Sequence, residues 1–208
     1  MTRTPNSPAD RPAGALDSRR HRTWESGASF SLSNRLFRIA WNAAWLLLAA
    51  WTPPPMHSWR RLILRCFGAR IASTAGVYGS ARIWDPSNLE MGAYAFIGPR
   101  VIVYSMASIN LGSYALVSQG AHICAGSHDI EDENFQLIAR PISIGARAWV
   151  AADAFVGPGV VIGEGAVLGA RGCAFHDLEP WTVYAGNPAR PLKPRKVRFT
   201  LPDEPTAR

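Results

Sequence analysis

The chain has 208 residues, 48% of them hydrophobic and 18% charged, with a formal net charge of +7. That length holds one domain with appendages, and the composition excludes a wholly disordered chain. The charge is unevenly placed: Ile71 to Gly186 holds 5 Arg against 10 Asp or Glu, so the middle is acidic (−5) and the flanks carry +12. A nucleic-acid-binding fold keeps its Lys and Arg on the folded face, so this distribution speaks against nucleic acid and points the basic flanks to anionic lipid, phosphate groups or plain solvent.

Residues 1–30 are rich in Pro, Ser, Arg and Ala without an apolar period, which predicts a disordered tail. No charged-then-apolar secretory pattern opens the chain, and Cys66, Cys124 and Cys173 form no paired pattern, so a reducing cytoplasm is the expected location. Residues 31–68 read as helical. An apolar helix over Ser33–Trp51 is stopped by Pro53-Pro54-Pro55, and a second over Trp59–Phe67 ends at Gly68. The uncharged stretch between Arg38 and Pro53 is shorter than the roughly 20 residues needed to span a bilayer. Two readings stay open for 33–53. The helix packs on the protein or a partner subunit, or it lies in a membrane interface with Trp41, Trp45 and Trp51 at headgroup depth. Arg35, Arg38, Arg60, Arg61 and Arg65 would then favour an anionic leaflet.

After Gly68 a six-residue period replaces the helical pattern. Aliphatic residues recur at Ile71, Val77 and Ile83; at Met91 and Ile97; at Leu111, Val117 and Ile123; and at Ile144, Val150, Val156, Ile162 and Leu168. A small residue, or Val, follows four places later, as at Ala75, Ala95, Val101, Ala121, Ala154 and Ala166. Gly follows the aliphatic residue directly at Gly92, Gly98, Gly112, Gly145, Gly157, Gly163 and Gly169, where tight turning is expected to require open backbone angles. An α-helix cannot keep a strict six. A mainly β solenoid can, with three short strands per triangular coil and the aliphatic residues stacked inside. This domain is expected over 69–186, with a basic tail over 187–208.

The period breaks after Ser127, so residues 129–141 (DIEDENFQLIARP) must protrude as a loop, beginning directly after His128. His122 lies one repeat earlier, and a hexapeptide is one face of the triangle. The two histidines therefore fall on different faces and do not share a metal within one chain. His21 and His57 lie outside the coils.

The stretch Ile71–Arg190 resembles the hexapeptide-repeat acyltransferases. SQGAHICAGSHD (Ser118–Asp129), YAGNPARPLKPRK (Tyr184–Lys196) and the helical stretch Phe37–Ile71 resemble in particular the colanic acid and exopolysaccharide O-acetyltransferase group. The resemblance implies a left-handed parallel β-helix, whereas the general rule for parallel crossovers favours the right hand. It implies acetyl-CoA as co-substrate, no required metal, a homotrimer with sites between subunits, and a sugar or glycan-precursor acceptor. His128 matches the catalytic histidine, a general base of suitable pKa range. Trp149 and Ala152 fall beside the thioester, the Ala152 N–H being the oxyanion donor. Ala170 lines the pantetheine channel, and Arg190 and Lys193 meet the CoA phosphates. Where relatives often carry Thr-Lys toward CoA, this chain has Phe175-His176. Asp129, Gln119 and Ser105 are the candidates for acceptor binding. Met106 replaces an acidic acceptor ligand of simpler sugar acetyltransferases. Alternatives within the resemblance are another hydroxyl acceptor, such as an antibiotic or serine, and a zinc hydratase of the same fold, whose metal needs three histidines across a subunit boundary. A catalytically silent scaffold trimer is a third.

Overall fold

The computed structural model describes residues 12–21 and 27–197. Much of the tail expected over 1–30, and residues 198–208, lie outside the described residues.

The six-residue period builds a parallel β-helix. Its first coil is β1 (Arg70–Ile71), β2 (Gly76–Val77) and β3 (Arg82–Ile83); its second is β4 (Leu89–Met91), β5 (Phe96–Ile97) and β6 (Ile102–Tyr104). The third is β7 (Ile109–Leu111), β8 (Leu116–Val117) and β9 (His122–Cys124). An arm, β10 (Gly126–His128) and β11 (Leu137–Ala139), follows. The fourth coil is β12 (Ile142–Ile144), β13 (Trp149–Val150) and β14 (Phe155–Val156), and the fifth is β15 (Val161–Ile162), β16 (Val167–Leu168) and β17 (Cys173–Ala174). Leu178 and β18 (Thr182–Ala185) begin a sixth. Like-numbered strands of successive coils pair in parallel, giving three faces. On the second face Ile97, Val117, Val150 and Leu168 stack in register. All four are wholly buried, and burying such a side chain stabilises by about 1.5–3 kcal/mol.

The corner between third and first faces departs from the repeat. Ile83 to Met91 and Val103 to Leu111 are eight-residue steps, and the arm leaves from this same corner after Ile123. Val103 continues the six-residue register from Ile97, while Leu89 and Ile109 are second inward residues at the corner, two places before Met91 and Leu111. Ser105 locks the corner: its hydroxyl accepts the Asp85 N–H (3.0 Å) and donates to Asp85 O (2.8 Å).

The repeat glycines have a different reason from the one expected. The left-handed position at each corner falls two residues later, on Tyr94, Arg100, Tyr114, Arg147 and Arg171 as well as on Gly159 and Gly165. Gly112 and Gly145 instead lack room for a side chain, because a Cβ would lie 2.5 Å from Ala146 N and 2.6 Å from Glu164 N of the next coil. Coil stacking, not φ, requires glycine there.

The first coil is a sheet edge whose carbonyls have no further coil to accept from. Side chains of α2 (Leu32–Leu48) and α3 (His57–Cys66), which follow the short α1 (Ser18–His21), supply the donors. The Trp41 indole N–H donates to Ile83 O (2.7 Å), and that of Trp45 to Gly79 O and Ala81 O (3.1 Å each). Arg60 Nε donates to Val77 O (2.6 Å), Arg61 Nη1 to Ala75 O (2.7 Å) and Arg65 Nε to Ile71 O (3.0 Å). Of the two readings of 33–53, packing on the protein holds for this face. Trp41 (1% exposed) and Trp45 (8%) are buried and cannot sit at headgroup depth, nor is buried Arg60 free to meet a leaflet. Among the described residues no helix is long and apolar enough to cross a membrane.

Described parts of the two tails contact the body. Residues 12–21 lie against the arm, where buried Ser18 donates through N and Oγ to Gln136 Oε1 (2.9 and 3.0 Å). Polar composition hid this strap because it binds by hydrogen bonds to another segment rather than by an apolar face of its own. At the other end β19 (Arg190–Pro194) turns back antiparallel on β18, and Arg195 Nη1 donates to Arg147 O and Gly165 O. That strand extends the sheet of the second face.

Candidate active site

The protruding loop is an antiparallel hairpin, β10 against β11, with His128 opposite Leu137 at its outer end. Its far turn is held by two carboxylates: Asp129 Oδ1 accepts the Glu131 N–H (3.0 Å) and Asp132 Oδ1 accepts that of Asn134 (2.8 Å). One side of the hairpin is apolar, with Met106, Leu137 and Ala139 clustered with Phe30. Met106 thus serves the arm's footing.

The His128 ring is exposed, and its Nδ1 lies 2.7 Å from the carbonyl oxygen of Phe135. A carbonyl only accepts, so in the neutral ring Nδ1 carries the hydrogen and Nε2 keeps a free lone pair. That is the tautomer a base needs. The Phe135 carbonyl has no signature in sequence, because a backbone acceptor is available at every residue.

The corner between second and third faces holds a separate group. Gln119, Ala152 and Ala170 stack there on successive coils, joined by Asp153 N–H to Gln119 O (3.0 Å) and Arg171 N–H to Ala152 O (2.9 Å). Among the described residues the Ala152 and Ala170 N–H groups make no backbone hydrogen bond. Trp149, 41% exposed, is pinned beside them by its indole N–H on Ser118 Oγ (2.8 Å). Arg190 and Lys193 are exposed on β19, beyond the last coil of the second face.

His128 and Asp129 therefore stand at one corner, and Trp149, Gln119, Ala152 and Ala170 at the next, with the third face between. One chain does not bring them together. Ser105 joins neither group: wholly buried and fully engaged with Asp85, it offers nothing to an acceptor. Asp129 is 7% exposed, its Oδ1 already committed to the turn. His176 lines a cleft of about 920 Å³ at the arm's base with Arg140, Phe175 and Asp177.

The third face carries a ladder of rings that sequence reasoning missed. Trp84, Tyr104, His122, Phe155 and Phe175 follow one another at centroid distances of 4.8, 6.5, 5.6 and 5.8 Å. Each flanks the inward residue of a different coil, His122 and Phe155 before it and Trp84, Tyr104 and Phe175 after it, so the signal was an aromatic residue beside the inward position in every coil. Burial lowers the pKa of His122, and its Nε2 has no hydrogen-bond partner among the described residues. His57 is lowered too, first by burial, with its Val77 hydrogen bond raising it and Arg60 and Arg61 lowering it further. A histidine depressed in the folded state contributes full stability above its unfolded pKa, about 6.5, and loses it as pH falls and the unfolded chain takes up the proton first. Chemical denaturation at about pH 8 and about pH 5 is expected to show lower stability at the acid end, with His122→Phe flattening the decline.

Among the described residues no three His, Cys, Asp or Glu side chains gather as a metal site. Coil, arm and corner define a class, the hexapeptide-repeat acyltransferases. No family model matches the chain. A relative from Escherichia coli (strain K12), named as the colanic acid biosynthesis acetyltransferase WcaF, is 39% identical over 155 residues, covering 74% of this chain and 85% of that protein. Two solved structures share the fold. A maltose O-acetyltransferase from Clostridium difficile 630 matches at TM-score 0.70 and 23% identity over 80% of this chain and 90% of its own. A hexapeptide-repeat acetyltransferase from Vibrio cholerae O1 biovar eltor, complexed with acetyl coenzyme A, matches at TM-score 0.70 and 22% identity over 80% and 91%. At the 39% level the chain belongs to the colanic acid biosynthesis acetyltransferase family.

Proposed function

We propose that the enzyme moves the acetyl group of acetyl-CoA to a sugar hydroxyl of an exopolysaccharide or related glycan precursor. It is an acetyl-CoA-dependent acyltransferase, and the observation that carries the mechanism is the His128 Nδ1 contact with Phe135 O. His128 Nε2 takes the hydroxyl proton as the sugar oxygen bonds to the thioester carbonyl carbon. The C–S bond then breaks, and the proton passes to the departing sulfur, leaving the acetyl ester and free CoA thiol. The Ala152 N–H faces the oxyanion, with Trp149 beside the thioester. Ala170 lines the pantetheine path, and Arg190 and Lys193 hold phosphates. Gln119 and Asp129 remain the acceptor candidates. Because the two groups occupy different corners of the solenoid, the working site lies between copies of a homotrimer, His128 from one subunit meeting Ala152 and Ala170 of the next. We place the reaction in the cytoplasm, where acetyl-CoA is made and used, at the inner face of a membrane.

The full-length protein with acetyl-CoA is tested against free sugars, nucleotide-linked sugars, serine and hydroxyl-bearing antibiotics. Thiol release and a mass gain of one acetyl group are expected with sugar acceptors. Release only with the other hydroxyl compounds, or none with any acceptor, refutes the reading.

A further inference from the structure

We propose that the outer face of α2 and α3 docks on an anionic phospholipid bilayer, with a slot between α2 and the third face receiving a lipid phosphate. The proposal deepens the membrane placement above and does not depend on the acetyl transfer.

The inner side of α2 is used up on the first coil by Trp41, Trp45 and Ala49. Its opposite side is a stripe at helical spacing, Leu32, Leu36, Ile39, Leu46 and Leu47, each between 56% and 68% exposed. Trp51, Trp59 and Leu62 are exposed at and beyond the end of α2. The indole N–H groups of Trp51 and Trp59 are satisfied by Leu47 O (2.8 Å) and Leu48 O (2.7 Å), so neither ring needs water at its polar edge. A helix apolar on both sides, and too short to cross, suits the plane of a membrane interface.

Charge selects the occupant. From Ser26 to Trp84 the chain has seven Arg and no Asp, Glu or Lys; with Arg60 buried, six of them remain to meet a leaflet. Among the described residues only Arg70 of these forms an ion pair, with Glu90 at 3.0 Å, and the charge of Asp85 acts on Arg38 from farther off. A second copy laid on the same face would bring like charges together, whereas an anionic leaflet complements them. The slot has a volume of about 400 Å³ and is walled by Arg38 and Asn42 of α2 and by Arg82, Trp84, Ile102 and Tyr104 of the third face. The Arg38 guanidinium lies 3.3 Å from the Trp84 ring centroid, and its buried Nε has no hydrogen-bond partner among the described residues. Arg38 and Asn42 occupy the flank of α2 between its buried side and its apolar stripe, so a phosphate in the slot leaves its lipid chains beside Ile39 and Leu46. Phe30, just before α2, packs in one cluster with Leu137 of the arm.

The full-length protein is sedimented with phosphatidylglycerol vesicles and with phosphatidylcholine vesicles at low and high salt, while acetyl transfer to a soluble acceptor is followed on the same samples. Binding to phosphatidylglycerol is expected to be at least about tenfold stronger than to phosphatidylcholine and to weaken with salt. Ile39→Glu/Leu46→Glu is expected to abolish sedimentation and Arg82→Gln to weaken it severalfold, with melting temperature and soluble activity unchanged. No binding to phosphatidylglycerol, or wild-type binding by the folded double variant, overturns the proposal. So does a particle mass that falls in that variant, since the stripe would then join copies of the chain. Loss of soluble activity in the wild type counts against the catalytic reading alone.

Discussion

Replacing His128 with Ala is expected to lower turnover by about a thousandfold, within the range of about 10²–10⁴ that a positioned general base supplies. The fold should not notice the change. The ring is exposed at the end of the arm, and its one hydrogen bond is to Phe135 O. Arm geometry is set elsewhere, by the β10–β11 pairing, the Gln136–Ser18 hydrogen bonds and the apolar root. His128→Asn separates positioning from basicity, because an amide N–H can still reach the Phe135 carbonyl but offers no basic nitrogen. Steady-state thiol release is expected to fall as far in Asn as in Ala, with KM for acetyl-CoA within a few-fold of wild type. Activity within tenfold of wild type in either variant removes His128 from the base's role.

Replacing Arg60 with Ala is expected to cost roughly 3–5 kcal/mol of stability, the scale of losing charged hydrogen bonds and a large buried side chain together. Arg60 is wholly buried, and among the described residues its guanidinium bonds carbonyl and hydroxyl oxygens and no carboxylate. Its guanidinium instead ties the solenoid edge to the α2–α3 turn, donating to Val77 O (2.6 Å), Thr52 Oγ1 (2.8 Å), Pro53 O (3.0 Å) and Pro54 O (2.5 Å). Removing it strands several carbonyls at once and leaves a void between helix and coil. Arg60→Lys keeps the charge but loses the fork, so it recovers only part of the loss. Denaturant unfolding of the three proteins measures this, and a loss below about 1 kcal/mol in Ala would show that the turn and the edge are held by other contacts.

The interior of the solenoid was legible because a six-residue period states the stacking of Ile97, Val117, Val150 and Leu168 without reference to anything distant. Ile109 escaped because its corner runs eight residues from Val103 to Leu111, so two inward residues share one corner and a strict count of six cannot say which of them starts the next face. The repeat glycines were read as turn residues, yet their constraint is the backbone of the next coil, from Gly145 to Glu164 or from Gly112 to Ala146 and so distant in sequence. Trp41 and Trp45 look alike for a membrane interface and for a protein edge, since both offer an apolar bed and a hydrogen-bond acceptor. At the site, the end of the repeat marked where the arm leaves, but the role of His128 came through family resemblance. Ser105 was misjudged because polarity alone cannot distinguish a corner lock from a ligand. The hand of the coil was likewise carried by resemblance, against the general rule.

The central claim, that catalysis is shared between the arm of one copy and the corner of another, is tested most directly by mixing two inactive variants. His128→Ala lacks the base, and Ala170→Trp blocks the pantetheine path, so each is expected to be inactive alone. Unfolding them together and refolding as mixed trimers should restore about a quarter of wild-type thiol release, since random mixing in a head-to-tail ring leaves one site in four with both parts intact. A mixture as inactive as its parents would place both parts of the site within a single chain and contradict the account.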